Sequence, residues 1–327
     1  MVHVEDKSLL LPDGRTLAYA DNGNTSSPSV VLFLHGAFAV GDASRLPRVL
    51  VESNVHLVTP SLPGWGKTSP VHAPSSYAVS FATDITTLIA HLHPQTDQVK
   101  LYICGHSFGT IPAQILYGLS HDIFPLGRQI AALVLLAPFS PPHCHGEYAK
   151  SLTWPSYFMI GPPAHYTPFN ITLRIVKLFT VNHVSSQTAA EALFRESRKG
   201  STSDEEQEKF SRWLEEQGID EVQFCKEVGR NTVGSVARSW RGFLDIPAIY
   251  HSGWGGFHPE HVMNKCPVVV VSSKDDVAAP EAMAMWISEN YYSTTLKRIS
   301  GSHISSFFYL NEILGEVLAP HSNLSGS

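Results

Sequence analysis

No apolar run in this 327-residue chain approaches the ~20 residues that a membrane-spanning helix needs. No basic stripe is present either: 23 Lys and Arg face 29 Asp and Glu, a formal net charge of -6, so nucleic acid is not an expected partner. Charged residues make up only 16% of the chain and hydrophobic ones 43%. That balance excludes a disordered chain and suits a folded one with a sizeable core. Cysteine is scarce. Cys104, Cys144, Cys225 and Cys266 are the four, with no pair at metal-ligand spacing. The amino-terminal MVHVEDKSLLLPDG is too polar, and its apolar stretch too short, for a secretion signal, so a cytoplasmic protein is expected. Repeats and low-complexity tracts are absent.

What is present is an alternation of apolar runs and helical patterns. KSLLLPDGRTLAYA (7–20) reads as two strands around a Pro-Asp-Gly turn. SVVLFL (29–34), VHLVT (55–59), VKLYIC (99–104), AALVLLAP (131–138) and PVVVVSS (267–273) read as buried strands, and TLKRIS as one more. Ser80 to His93 has helical spacing, with Phe81, Ile85, Leu88 and Ile89 on one side. Such alternation predicts an α/β fold, a mostly parallel central sheet covered by helices on both faces. Too many residues separate the strands at 131–138 and 267–273 for a single crossover, so an insertion is expected there. It starts with the aromatic and proline-rich WPSYFMIGPPAHYTPF (154–169). Later, Ser203 with Glu206 forms a capping box, Phe210, Trp213 and Leu214 share a face, and Gly218 ends the helix. The acidic DEEQE run within it reads as a solvated first turn favoured by the helix dipole.

LYICGHSFGT (101–110) holds G-x-S-x-G between a strand and a helix. Roughly one random chain of this length in ten contains that pattern, so context must carry the reading. A sharp strand-to-helix turn would lift the Ser107 hydroxyl above the sheet edge, and Gly105 and Gly109 would relieve the crowding. A nucleophilic serine needs a base and the base an orienting acid. ISGSHISSFF places His303 after the last strand, and SSKDDVAAP places the carboxylate pair Asp275 and Asp276 at a strand end. Oxyanion donors are expected from the N–H of Phe108 and, in FLHGAF, the N–H of Ala37, with Phe38 as the alternative. His35 reads as structural. The loop PPHCHGE, with His143, Cys144 and His145, reads as incidental, since no fourth metal ligand is evident.

Taken together, LPDGRTLAYADNG, VVLFLHGAF, VHLVTPSLPGWGKTSP, GHSFG, SSKDDVAAP and SGSH resemble a capped α/β-hydrolase over nearly the whole chain. That broad group includes carboxylesterases, lipases, proline iminopeptidases and C–C bond hydrolases. The resemblance implies a core of residues 1–138 and 236–327 with an inserted cap at 139–235. It also selects Asp276, four residues before Pro280, over Asp275 as the acid. Two departures stand out: Ser61 where the group often has an aspartate, and Ser302 where a glycine usually precedes the histidine. Because the elbow carries serine and not aspartate, likeness to epoxide hydrolases or haloalkane dehalogenases extends to fold and not to reaction.

The expected function is cofactor-independent, metal-free hydrolysis of an ester, thioester or lactone of an apolar small molecule by Ser107, His303 and Asp276. Phe38, His106, Trp154, Tyr157 and Phe158 are the expected substrate-contacting side chains. A C–C hydrolase or a specialised biosynthetic enzyme would use the same triad, with Arg174, Arg195 or Arg238 holding a carboxylate. An aminopeptidase would need Glu191, Glu196 or Glu205 for the substrate amine. A non-catalytic receptor on the same fold is the remaining alternative.

Overall fold

The computed structural model describes residues 2–199 and 203–319, the side chains of 169 and 197–199 excepted. Its strands are β1 (Lys7–Leu10), β2 (Thr16–Gly23), β3 (Ser29–Leu34), β4 (His56–Pro60), β5 (Lys100–His106), β6 (Ile130–Leu136), β7 (Val268–Ser273) and β8 (Thr294–Ile299). They form one sheet in the order β1-β2-β4-β3-β5-β6-β7-β8. The β1–β2 hairpin and the β2–β4 pairing are antiparallel, and every pairing from β4 to β8 is parallel. Central strands buried on both faces are continuous Val, Ile and Leu runs, as parallel strands between helical layers must be. The edge strands β1 and β8 carry the exposed Lys7 and Arg298, which discourages pairing with another sheet.

Between strands run α1 (Arg48–Glu52), α2 (Tyr77–Leu92) and α3 (Thr110–Gly118). The expected helix at 80–93 begins three residues earlier, continuing from a 3-10 turn at Pro74–Ser76. Pro112 sits in the first turn of α3, where its missing N–H costs no internal bond. The segment between β6 and β7 holds α4 (Trp154–Ile160), α5 (Pro162–Tyr166), α6 (Ile171–Val184), α7 (Gln187–Lys199), α8 (Asp204–Gln217), α9 (Glu221–Val236), α10 (Arg241–Leu244) and α11 (Ile246–Tyr250). After β7 come α12 (Glu281–Asn290) and α13 (Leu310–Leu318). No helix among the described residues is long and apolar enough to cross a membrane.

The order β4-β3-β5 is what positions the site. From β3 the chain turns to one side, through α1 to β4. From β5 it turns to the other, through α3 to β6. The loops after β3 and β5 therefore part at adjacent strand ends and leave a crevice at the carboxyl edge.

Candidate active site

Ser107 follows β5 directly and has φ +52°, the left-handed region that non-glycine residues rarely adopt. Tight glycine contacts hold it there. A Cβ on Gly105 would lie 2.5 Å from the Gly109 carbonyl oxygen, and one on Gly109 would lie 2.1 Å from that of Leu34. The Thr110 hydroxyl donates to the Ser107 carbonyl (2.6 Å) and accepts the Phe139 N–H (3.2 Å), tying the turn to the end of β6.

Ser107 Oγ lies 2.7 Å from His303 Nε2, and His303 Nδ1 lies 2.7 Å from Asp276 Oδ2. The other Asp276 oxygen, Oδ1, accepts the N–H groups of Ala278 (2.8 Å) and Ala279 (2.9 Å). A carboxylate so held can only accept from the imidazole, so Nδ1 carries the proton and Nε2 presents its lone pair to the serine hydroxyl. Asp275 is exposed, and of the two adjacent carboxylates it is Asp276 that hydrogen-bonds His303.

Gly36 passes so close to the elbow that a Cβ there would meet Ser107 Cβ and His106 Nδ1, both at 3.1 Å. The turn at Gly36 and Ala37 therefore lies against Ser107. Among the described residues no backbone acceptor takes the Ala37 N–H. Phe108 is the second residue of the 3-10 turn Ser107–Gly109, so its N–H lies in the first turn, where no internal acceptor is available. Phe38 has φ +58° and packs on Trp65 and Phe243, with ring centroids at 5.7 and 5.1 Å.

Two neighbouring histidines are buried and hold the scaffold. The His35 Nε2 accepts the Leu62 N–H (2.9 Å), so its Nδ1 donates to the Gly36 carbonyl (2.7 Å). The His106 Nε2 donates to the His303 carbonyl (3.2 Å), and its ring lies 4.3 Å from that of Phe307. Burial pushes His35 down to about 4. Burial, with His303 adding to it, pushes His106 down to about 3. Both bases are neutral in the fold but take up protons near pH 6.5 when unfolded. Their contribution to stability is complete above pH 6.5 and drains away as pH falls toward 4. A loss of about 2 kcal/mol per histidine by pH 5 is expected. Urea unfolding at pH 7 and pH 5 measures it, and a midpoint no lower at pH 5 would contradict it.

A cavity of about 400 Å³ opens from Ser107 and His303. Its floor is the face of β3 and β4 at Val31, Phe33, Leu57 and Thr59. Leu310 and Leu314 of α13 form one wall and Phe38 to Pro47 another, and Phe194, Trp213 and Phe224 of α7–α9 roof it. Leu50 of the five-residue α1 also lines it, packed with Val31 and Leu57. Of the expected contact residues, Phe38 and His106 line it. Trp154, Tyr157 and Phe158 do not: they stack on one another in α4, with Trp154 and Phe158 facing solvent. The roof instead uses aromatics from the amphipathic helices α7–α9, whose apolar positions in sequence look like those of any helix packing on a core. None of Arg174, Arg195, Arg238, Glu191, Glu196 or Glu205 lines the cavity.

The acidic run at the start of α8 is not simply solvated. The Ser203 hydroxyl accepts the Glu206 N–H (3.2 Å), as the capping box requires, but the Glu206 side chain is buried. Its Oε1 accepts from the Ser302 N–H (3.1 Å), the Ser302 hydroxyl (2.9 Å) and the Ser305 hydroxyl. Glu205 accepts from the Ser300 hydroxyl at 2.7 Å. The loop bearing His303 is therefore clamped by α8, and Gly301, at φ +110°, leaves the room. This accounts for Ser302: its hydroxyl supplies a donor that a glycine would lack. Ser61 costs no hydrogen bond either, because its hydroxyl donates to Glu5 Oε1 (2.6 Å) and accepts the Gly41 N–H (2.9 Å). His143 donates to the Phe257 carbonyl (2.8 Å), and His145 stacks on Trp286 (5.2 Å).

The alpha/beta hydrolase family model matches residues 31–310. No curated protein sequence matches the chain. Among solved structures, an enol-lactonase from Burkholderia xenovorans is similar at 13% identity and TM-score 0.57, over 96% of this chain and 100% of its own. An esterase from Exiguobacterium antarcticum is similar at 15% identity and TM-score 0.55, over 96% and 99%. A thioesterase domain from the curacin biosynthetic pathway is similar at 15% and 0.55, over 98% and 100%. At such identities the likeness is one of fold, whereas the family match spans most of the sequence. Strand order, elbow and family match lead to one conclusion: the chain belongs to the alpha/beta hydrolase family.

Proposed function

We propose that the protein is a serine esterase for apolar acyl substrates, with residues 139–235 acting as a cap over the site. The observation that carries this reading is the run of two 2.7 Å contacts from Ser107 through His303 to Asp276, at the mouth of an apolar cavity. Ser107 Oγ attacks the ester carbonyl carbon as His303 Nε2 takes its proton. Asp276 holds the tautomer and stabilises the imidazolium. The N–H groups of Ala37 and Phe108 take the developing oxyanion. Collapse breaks the ester C–O bond, and the leaving alkoxide receives the proton from His303. Water, deprotonated by the same imidazole, then hydrolyses the acyl-enzyme and regenerates Ser107. No cofactor or metal enters these steps. At ~30 Å³ per heavy atom, a water's share of liquid volume, the cavity accommodates about a dozen atoms of an acyl chain.

The test is intact mass and peptide mapping after a fluorophosphonate, together with hydrolysis of p-nitrophenyl esters from acetate to dodecanoate. A single adduct on Ser107 and a preference for medium acyl chains are expected. A folded protein with no adduct, or an adduct on another residue, would overturn the reading.

Glu206 is expected to act as a positioning residue through the His303 loop. A 1 Å misplacement of a reacting group costs on the order of 100-fold, so Glu206→Ala should lower kcat roughly 10- to 100-fold with little change in KM. Glu206→Gln, which keeps one acceptor oxygen, should recover part of it. Equal loss in kcat and thermal midpoint for both variants would reduce Glu206 to a fold-stabilising role.

A further inference from the structure

Helix α6 presents its apolar side outward. Ile171, Ile175, Leu178 and Phe179 recur at the i, i+4, i+7, i+8 spacing of one helix face and all are exposed, Leu178 at 70% and Phe179 at 74%. In an ordinary surface helix such a stripe faces the core. On the neighbouring α4, Trp154 and Phe158 are exposed one turn apart. A contiguous apolar patch of this kind marks an interaction surface.

Charge distinguishes its occupant. From Tyr148 to Ala190 there is no Asp or Glu, in a chain of net charge -6; Lys150 pairs with Glu147, and Arg174 and Lys177 are the cations of α6 itself. Arg174 is exposed in the same stripe as Ile171, Ile175 and Leu178. A second copy of this face would set like charge against like. An anionic bilayer surface satisfies both features: acyl chains take Leu178 and Phe179, the headgroup layer takes Trp154, and the lipid charge takes Arg174. We propose that the outer face of α6, with Trp154 and Phe158 of α4, docks this protein on anionic lipid surfaces. The face also lies near the cavity. Lys177 Nζ sits 4.9 Å over the Trp240 ring, which is 6.2 Å from Phe38 of the cavity wall. Docking does not depend on the serine chemistry, so the two stand or fall separately.

The experiment is co-sedimentation of the full chain with vesicles of phosphatidylcholine alone or with about 30 mol% phosphatidylglycerol, where roughly ten-fold tighter binding to the anionic vesicles is expected. Binding should weaken at about 0.5 M salt. It should be lost in Leu178→Ser/Phe179→Ser, whose thermal midpoint should be unchanged because both side chains are already in solvent. Absence of binding to either vesicle would overturn the proposal, as would equal binding to both or undiminished binding by the double variant. A wild-type dimer that the double variant converts to monomer, without vesicle binding, would also overturn it and make the face a subunit interface.

Discussion

Ser107→Ala is expected to remain folded and to lose on the order of 10⁶-fold in kcat for ester hydrolysis. The fold should persist because the serine hydroxyl is not part of the scaffold. Its hydrogen-bond partner is His303 Nε2, while the turn is held through the Ser107 carbonyl by Thr110 and by the closely packed Gly105 and Gly109. Alanine at φ +52° bears the same Cβ strain as serine, so the substitution adds none. Rate falls because no other hydroxyl stands at His303 Nε2. The residual rate would come from the Ala37 and Phe108 N–H groups acting on a directly attacking water. Steady-state kinetics on a p-nitrophenyl ester, with circular dichroism as the control for folding, measure both effects. Activity within about ten-fold of wild type would contradict a covalent serine mechanism.

Asp276→Asn should cost about 10⁴-fold in kcat, and for a specific reason. Asp276 Oδ1 accepts two backbone N–H groups, so the asparagine carbonyl oxygen is drawn to that position. The amide NH₂ then faces His303 Nδ1, where a proton stood before. Two donors cannot face each other, so the imidazole moves its proton to Nε2. It would then offer Ser107 a donor where an acceptor is required. Asp275→Asn, at an exposed neighbour, should change kcat less than about two-fold, as surface changes away from a site do. Comparable losses in the two variants would remove Asp276 from its assigned role.

Glu206 shows where sequence patterning stops informing. Its spacing from Ser203 is that of a capping box, and the backbone half of that bond forms. Its carboxylate goes elsewhere because the loop at 300–305, almost a hundred residues away in the chain, brings three donors to it. Trp154, Tyr157 and Phe158 fail as cavity residues for the same kind of reason. An aromatic run states that a surface must be covered, not which one, and here α4 turns Trp154 and Phe158 outward while Phe194, Trp213 and Phe224 cover the cavity. Ser61, which stands where the resembled group often has an aspartate, is hydrogen-bonded because Glu5 reaches it from the amino-terminal segment.

By itself the sequence determined the strands, their mostly parallel arrangement, the sharp turn at Ser107 and the chain order of Ser107, Asp276 and His303, whose side chains meet in one hydrogen-bonded run. These rest on short-range properties: apolar runs of strand length, glycines two residues either side of a serine, and loops that follow strand ends. The tertiary structure alone decided which helices roof the site, where a cavity lies along β3 and β4, and which carboxylate clamps the His303 loop. Those outcomes depend on contacts between residues tens to hundreds of positions apart, where one pattern of apolar and polar residues is compatible with several packings and only the geometry of the folded chain selects among them.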